Sequence, residues 1–288
     1  MKKILIITSI ALTTNFIFGQ AVENELKNFR FGLEASPSLN WYKPEGKIIA
    51  ANGPVVRFRG GLVTEFRLAK VISIQTGIRV DIDGGRVKYN NGGPTNANSN
   101  TVSYYYFNLD DKIVKYDPVL ANSPSHTHYQ LNERTYTATY ITVPLTLKMK
   151  TKEIGALTYY GLIGMNNSFR WKATANDQLQ VIDDNTNTLG TKDSKSKIDI
   201  TQDISLYTAT LNFGLGAELN FSGTTSLTFG LNYNLAFTNV VKSESDYIGR
   251  RANNADYHPI FNPSAFIESK MPQDIKSNAI LINVGILF

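Results

Sequence analysis

Leu211-Asn212-Phe213-Gly214-Leu215-Gly216-Ala217-Glu218-Leu219-Asn220-Phe221 and, beyond Ser222-Gly223-Thr224, Thr225-Ser226-Leu227-Thr228-Phe229-Gly230-Leu231-Asn232-Tyr233-Asn234-Leu235-Ala236-Phe237 carry the same pattern. Large apolar residues alternate with small or polar ones. A period of two puts alternate side chains on opposite faces of a strand. Each run is at least as long as the roughly 9–11 residues with which a tilted strand crosses a bilayer. The pair reads as an antiparallel hairpin with one apolar face and one face of Asn, Gly, Thr and Glu.

The pattern recurs in both directions from this hairpin. Phe29 to Ser36 sets Phe29, Phe31, Leu33 and Ala35 against Arg30, Gly32, Glu34 and Ser36. Val56 to Leu68 sets Phe58, Leu62, Phe66 and Leu68 against Arg57, Arg59, Gly61, Glu65 and Arg67. Val71 to Asp83 sets Ile72, Ile74, Ile78, Val80 and Ile82 against Ser73, Gln75, Gly77, Arg79 and Asp81. Tyr136 to Lys150 sets Ile141, Val143, Leu145, Leu147 and Met149 against Thr142, Pro144, Thr146 and Lys148. Leu157 to Arg170 is rich in Tyr and Gly but alternates poorly. The sixth and seventh segments are Leu206 to Phe221 and Thr225 to Phe237, and the last is Asn278 to Phe288. Weak alternation repeated over segments of this length is the signature of a transmembrane barrel.

Alternation alone does not say which face points inward, since a soluble barrel buries its apolar face. Three features favour the membrane arrangement. The polar face holds Gly32, Gly61, Gly77, Gly214, Gly216, Gly230 and Gly285, and an eight-stranded interior has room for little more than its own side chains. Connections alternate in length: Ala69-Lys70, Thr151 to Ala156 and Ser222 to Thr224 are short, whereas Tyr42 to Pro54, Gly84 to Thr135, Trp171 to Ser205 and Thr238 to Ser277 are long. That alternation matches short periplasmic turns and long extracellular loops. The last segment also ends on aromatic Phe288, the kind of strand end that outer-membrane insertion machinery reads. The expected fold is therefore all-β, an eight-stranded antiparallel transmembrane β-barrel. Phe29, Phe221 and Phe288 should lie in its periplasmic aromatic girdle.

The N-terminus fits export. Lys2 and Lys3 precede a short apolar stretch, Ile4 to Phe18, that Thr8, Ser9, Thr13, Thr14 and Asn15 interrupt. A membrane helix needs about 20 apolar residues, so residues 1–20 read as a cleaved signal peptide with a helical anchor as the alternative. Residues 21–288 form the barrel domain. The chain has no Cys, which excludes disulfides and thiolate chemistry. Its net charge of +5 is modest, and with an export signal it argues against a nucleic-acid partner. The expected location is the cell outer membrane, with outer-membrane lipid as the expected partner and protein partners in a membrane complex as the alternative it leaves open.

Tyr140-Ile141-Thr142-Val143-Pro144-Leu145-Thr146-Leu147-Lys148-Met149-Lys150 resembles the Tyr-x-x-x-Pro-Leu-x-x-Lys-x-Lys strand of the PorT-like outer-membrane β-barrel family. The ending Ile282-Asn283-Val284-Gly285-Ile286-Leu287-Phe288 is similar to that family's last strand. The resemblance spans Phe29 to Phe288 and implies an eight-stranded barrel. Its motifs are strand patterns and carry no chemistry. The family's namesake is tied to a protein-secretion system, a role that does not extend to every member.

The lumen face carries charge. Glu34, Glu65 and Glu218 share it with Arg59, Arg67 and Arg79, and Arg30, Arg57, Asp81 and Lys148 lie on it as well. Isolated buried charge is costly, so these residues read as a structural network of interleaved acids and bases, with Glu65 expected to pair with Arg67 or Arg79. A gated ion path or a ligand site is the rival reading. His126-Thr127-His128 has zinc-compatible spacing, but the nearest acids in sequence, Asp117 and Glu133, pin no third ligand. Ser125 beside His126 lacks a nucleophile elbow. Asp110-Asp111, Asp177 and Asp183-Asp184 do not follow a dedicated calcium-loop pattern. Asn90 to Asn100 is turn-rich, and Tyr104-Tyr105-Tyr106-Phe107 reads as a strand continued above the membrane or an exposed recognition patch. No cofactor or metal site is assigned. The expected role is non-enzymatic, through extracellular loops or docking in a membrane assembly. The alternatives are an accessory subunit of a secretion or transport complex, a lipid-modifying enzyme, or a narrow pore.

Fractionation checks this reading. The protein should be recovered with the outer membrane and show heat-modifiable migration on gels; recovery as soluble periplasmic material would contradict it.

Overall fold

The structure is a computed structural model that describes residues 28–45, 49–89, 104–109, 112–113, 127–183, 188–222, 225–250 and 269–288. The signal segment 1–20 and the Asn90 to Asn100 stretch lie outside the described residues. Eight long strands make the wall: β1 (Phe29–Pro44), β2 (Val55–Ala69), β3 (Ile72–Asp83), β4 (Thr127–Lys150), β5 (Leu157–Asp183), β6 (Tyr207–Ser222), β7 (Thr225–Ala236) and β8 (Ile275–Leu287). Each pairs antiparallel with the next in sequence. β8 pairs back onto β1, from Gly32 opposite Leu287 to Pro44 opposite Ile275. The ring is closed, so no strand edge is left for the hydrocarbon, where an unpaired N–H or C=O has no water to bond. Among the described residues, no helix is long and apolar enough to cross a membrane.

The two faces of the wall separate as the alternation requires. Leu215 is 73% exposed, and Leu231 and Ile282 are 58% exposed, all pointing outward. Asn212, Asn232 and Asn283, on the opposite face of the same strands, are buried inside. Aromatic rings pair at both ends of the apolar band. At the periplasmic end Phe29 meets Phe66 with ring centroids 5.0 Å apart, and Phe31 meets Phe288 at 5.7 Å. At the other end Trp41 meets Tyr233 at 6.3 Å and Phe169 meets Tyr207 at 5.4 Å. Amphipathic rings at two levels mark the two interfaces of a bilayer. The interior is tight. A Cβ at Gly216 would lie 2.3 Å from the Phe229 carbonyl oxygen and 2.4 Å from the Tyr160 ring, so only glycine fits opposite that tyrosine.

Several strands run past the boundaries that the sequence suggests. β1 continues from Ser36 to Pro44, β4 begins at Thr127 and not Tyr136, and β5 continues from Arg170 to Asp183. At about 3.3 Å per residue, the 27 residues of β5 trace a path of about 90 Å, far beyond a hydrocarbon core of about 30 Å. Much of Gly84 to Thr135 and Trp171 to Ser205 is therefore strand and not loop. Thr188–Asp199 folds back on β5 as a hairpin. Arg86–Tyr89 pairs with both β4 and Ile49–Ala51. Tyr104–Leu109 extends the sheet from β4, and Glu244–Arg250 and Ser269–Pro272 continue it.

A bulge in β5 reconciles this extension with the barrel below it. Arg170 lies opposite Tyr140 and Lys172 opposite Thr139, which leaves Trp171 as an extra residue. One extra residue inverts the alternation of a strand. Below the bulge Thr158, Tyr160, Leu162, Asn166 and Ser168 are buried; above it Ala173, Ala175, Asp177 and Leu179 are. Trp171 itself is 68% exposed, at the level of the upper aromatic ring.

Substitutions on β7 test the face assignment. Leu231→Arg, near mid-bilayer, should cost about 2–4 kcal/mol in reversible unfolding from liposomes. Asn232→Ala, inside the lumen, should cost about 1 kcal/mol through its bond to Asn212. Equal costs at the two positions would mean the faces are misassigned.

Candidate functional site

Two layers fill the barrel. The lower layer is charged and lies within the membrane-spanning part. At the periplasmic end Arg30 and Glu65 are direct cross-strand neighbours. Arg30 donates to Glu65 at 3.0 Å and to Glu218 at 3.0 Å. Lys148 reaches Glu65 at 3.1 Å and also bonds Glu218. Lys150 reaches Glu65 at 2.5 Å and Glu218 at 3.0 Å. β2 and β6 stand on opposite sides of the ring, so these three cations bridge their carboxylates across the lumen. The Lys148 ammonium also sits 4.3 Å from the centroid of the Tyr160 ring.

The next level up joins β1, β2 and β3. Glu34 lies opposite Gly61, and Gly61 lies opposite Arg79. With no side chain on Gly61, the Arg79 guanidinium reaches over β2 to Glu34 at 3.6 Å. It also meets Asp81 at 3.4 Å and donates to Asn166 at 3.0 Å. Arg59, directly opposite Asp81 in register, pairs with it at 3.7 Å. Of the six residues that the sequence singles out, Glu65 and Glu218 thus meet in one cluster, and Glu34, Arg59 and Arg79 meet in another. Glu65 pairs with Arg30, Lys148 and Lys150, and not with Arg67 or Arg79. Arg67 makes no salt bridge with any described residue, and its Nη1 is buried without a hydrogen-bond partner.

The upper layer is apolar and lies above the bulge. Tyr42, Val87, Leu131, Tyr136, Leu179, Ile200, Ile204, Val240, Val241, Ile248 and Ile275 are all buried in one cluster. Ile200 to Ile204, with the short helical turn Thr201–Asp203, packs its two isoleucines into this cluster. It is fixed from both sides. Arg170 donates to the Thr201 and Ile204 carbonyls. Buried Asp203 accepts from the Ser245 hydroxyl at 2.5 Å and from the Asp246 backbone N–H at 2.9 Å. Arg134 and Asp177, opposite one another in register, form a fully buried two-point ion pair at 2.7 and 2.6 Å. Burial pushes the Tyr89 hydroxyl well above its ordinary range, so it stays protonated beside the Tyr136 hydroxyl at 3.4 Å.

The remaining sequence candidates fall as follows. Asp177 is committed to Arg134 and is not available to calcium. Ser125, His126, Asp110, Asp111 and Asp184 lie outside the described residues, as do the side chains of His128 and Asp183. Tyr104–Leu109 is a strand of the extracellular sheet. Among the described residues, no group of three or more His, Cys, Asp or Glu could hold a metal ion. Sequence reasoning missed Lys150, which the parity of Lys148 would have placed on the same face. It also missed the Arg134–Asp177 pair, which lies beyond the segments recognised from alternation.

The sequence profile of a family described as "Outer membrane protein beta-barrel domain" matches residues 18–242. No curated protein matches the chain. Among solved structures, OprG from Pseudomonas aeruginosa is similar at 11% identity and a TM-score of 0.37, covering 90% of this chain and 95% of that one. Neisserial surface protein A is similar at 10% identity and a TM-score of 0.34, with 90% and 96% covered. The outer membrane protease OmpT from Escherichia coli is similar at 10% identity and a TM-score of 0.33, with 93% and 99% covered.

The clusters make a stability prediction. Glu65→Gln leaves Arg30, Lys148 and Lys150 sharing one carboxylate, and breaking a buried pair of this kind costs about 3–5 kcal/mol. In a double-mutant cycle with Lys148→Gln, read by urea midpoints, the pair should lose less than the sum of the singles. Strict additivity would show that the two side chains do not interact.

Proposed function

The chain belongs to the outer membrane protein beta-barrel domain family, and on that premise we propose a non-enzymatic binding role exercised above the membrane. The barrel sits in the outer membrane and holds a folded β-structure at the cell surface for a protein partner. The observation that carries this reading is the apolar cluster around Leu131, Leu179, Ile204 and Val241, which fills the extracellular half of the lumen. A packed apolar interior admits neither ions nor substrate from the extracellular side, so the surfaces left for function on that side are external. The hairpin of β5 and Thr188–Asp199 presents the exposed side chains of Lys192, Asp193, Ser194 and Lys197 there. Residues 1–20 serve as the export signal, on the strength of Lys2, Lys3 and the short apolar run after them.

A finer placement among PorT-like members rests on the Tyr140 to Lys150 strand and the Ile282 to Phe288 ending. It favours a second reading, an accessory subunit of a secretion or transport complex. The site of contact separates the two. Residues 178–195 can be replaced by a tight turn, and partners crosslinked in native membranes then compared by co-purification in mild detergent. The shortened protein should keep its heat-modifiable migration and lose its partner; a partner retained in full would mean that the barrel wall carries the contact. In planar bilayers the wild type should show negligible conductance, and large stable channels would overturn the closed-barrel reading.

A further inference from the structure

The two charged levels of the lumen are not balanced alike. In the upper one, Arg59 and Arg79 face Glu34 and Asp81, and the charges cancel. In the lower one, among the described residues, Arg30, Arg67, Lys148 and Lys150 face Glu65 and Glu218 alone. Three of those cations form ion pairs with both carboxylates, and Arg67 forms none with any described residue, although both carboxylates lie within its electrostatic reach. Arg67 sits at the rim: its backbone N–H donates to Asn28, the first described residue of the chain, and it lies opposite Ser73 close to the turn into β3. Its side chain is half-buried, with Nη1 shielded and unpaired.

We propose that this periplasmic mouth is a binding site for a phosphate-type oxyanion, with Arg67 as the recognising group and Lys150 and Arg30 behind it. Net positive charge held partly out of water at this mouth is costly unless an anion neutralises it. A guanidinium presents a planar fork that matches the oxygens of a phosphate, and charge-assisted bonds of this kind are the strong ones. The neighbouring ammonium groups add point charge. Lys70 and Lys152, exposed on the periplasmic turns, draw anions toward the opening. Glu153 on the same side is engaged by Asn220 at 2.8 Å and does not reach into the cluster. The phosphate can come from two sources, a free periplasmic anion or the headgroup of an anionic phospholipid in the inner leaflet, and both present the same oxygens to Arg67.

The test uses the full-length protein and the Arg67→Gln variant, each in liposomes of digalactosyl diacylglycerol, a lipid with no phosphate. Inorganic phosphate is titrated against sodium chloride of equal ionic strength, and the heat-unfolding midpoint is read from gel migration. The wild type should show a saturable upward shift that the variant lacks. Without phosphate the variant should be no less stable than the wild type, because it loses an uncompensated charge and no ion pair. A second arm adds phosphatidylglycerol to the liposomes. If the headgroup is the natural ligand, the shift appears there and free phosphate adds nothing further; if free phosphate is, the lipid has no effect and the titration does. Equal shifts in wild type and variant, shifts matched by chloride, or no shift in either arm would each overturn the site. So would a variant that is destabilised without any anion, since that would make Arg67 a member of the structural network.

Discussion

A backbone N–H or C=O in hydrocarbon has no water to bond. The rest of this structure depends on that constraint. It forces the eight strands into a ring sealed by the pairing of β8 with β1. A ring of eight has a narrow interior, and the narrowness dictates what the lumen can hold. Polar side chains that point inward cannot be hydrated as they would be on a surface, so they must find one another. Glycine makes the encounters possible: the bare backbone at Gly61 lets Arg79 reach Glu34 across an intervening strand.

The constraint relaxes where the bilayer ends. Above the upper aromatic ring the same strands stand in water, and the favourable arrangement becomes that of a soluble barrel, apolar inside and polar outside. The bulge at Trp171 allows β5 to serve both environments, because one inserted residue turns the next run of side chains over. Below it the wall is greasy outside and charged within. Above it Ala173, Ala175 and Leu179 face inward and pack against Ile200, Ile204 and Val241. The proposed function follows from this change of solvent, since an interior packed above the change leaves the external surface to do the recognising on the extracellular side.

How much of this the sequence discloses also follows from the solvent. The membrane segments are legible because hydrocarbon demands apolar residues at every second position, as in Leu227 to Phe237. β5 is the instructive exception: Tyr160 and Leu162 point inward and the bulge breaks the period, so its alternation looks poor. The extensions to Pro44, Thr127 and Asp183 look like loop in the sequence because strands in water carry no apolar outer stripe. Inward placement of Glu34, Glu65 and Glu218 could be read from parity alone. Their partners could not, because Arg30 meets Glu65 through the register of two strands, and Lys148 meets Glu218 only across a closed ring.

The account turns on the solvent boundary at Trp171, and labels placed along β5 test it most directly. Single cysteines at successive positions from Tyr159 to Gln180 would carry spin labels, in a protein that has no native cysteine to interfere. Access to lipid-soluble oxygen and to a water-soluble nickel complex would then be compared in liposomes. Odd-numbered positions up to Trp171 should be open to oxygen. Beyond it even-numbered positions such as Asn176 and Gln178 should be open to the nickel complex, while Ala173 to Leu179 at odd positions are shielded from both. Oxygen access that continues at odd positions through Leu179 would place the whole strand in lipid and contradict the account.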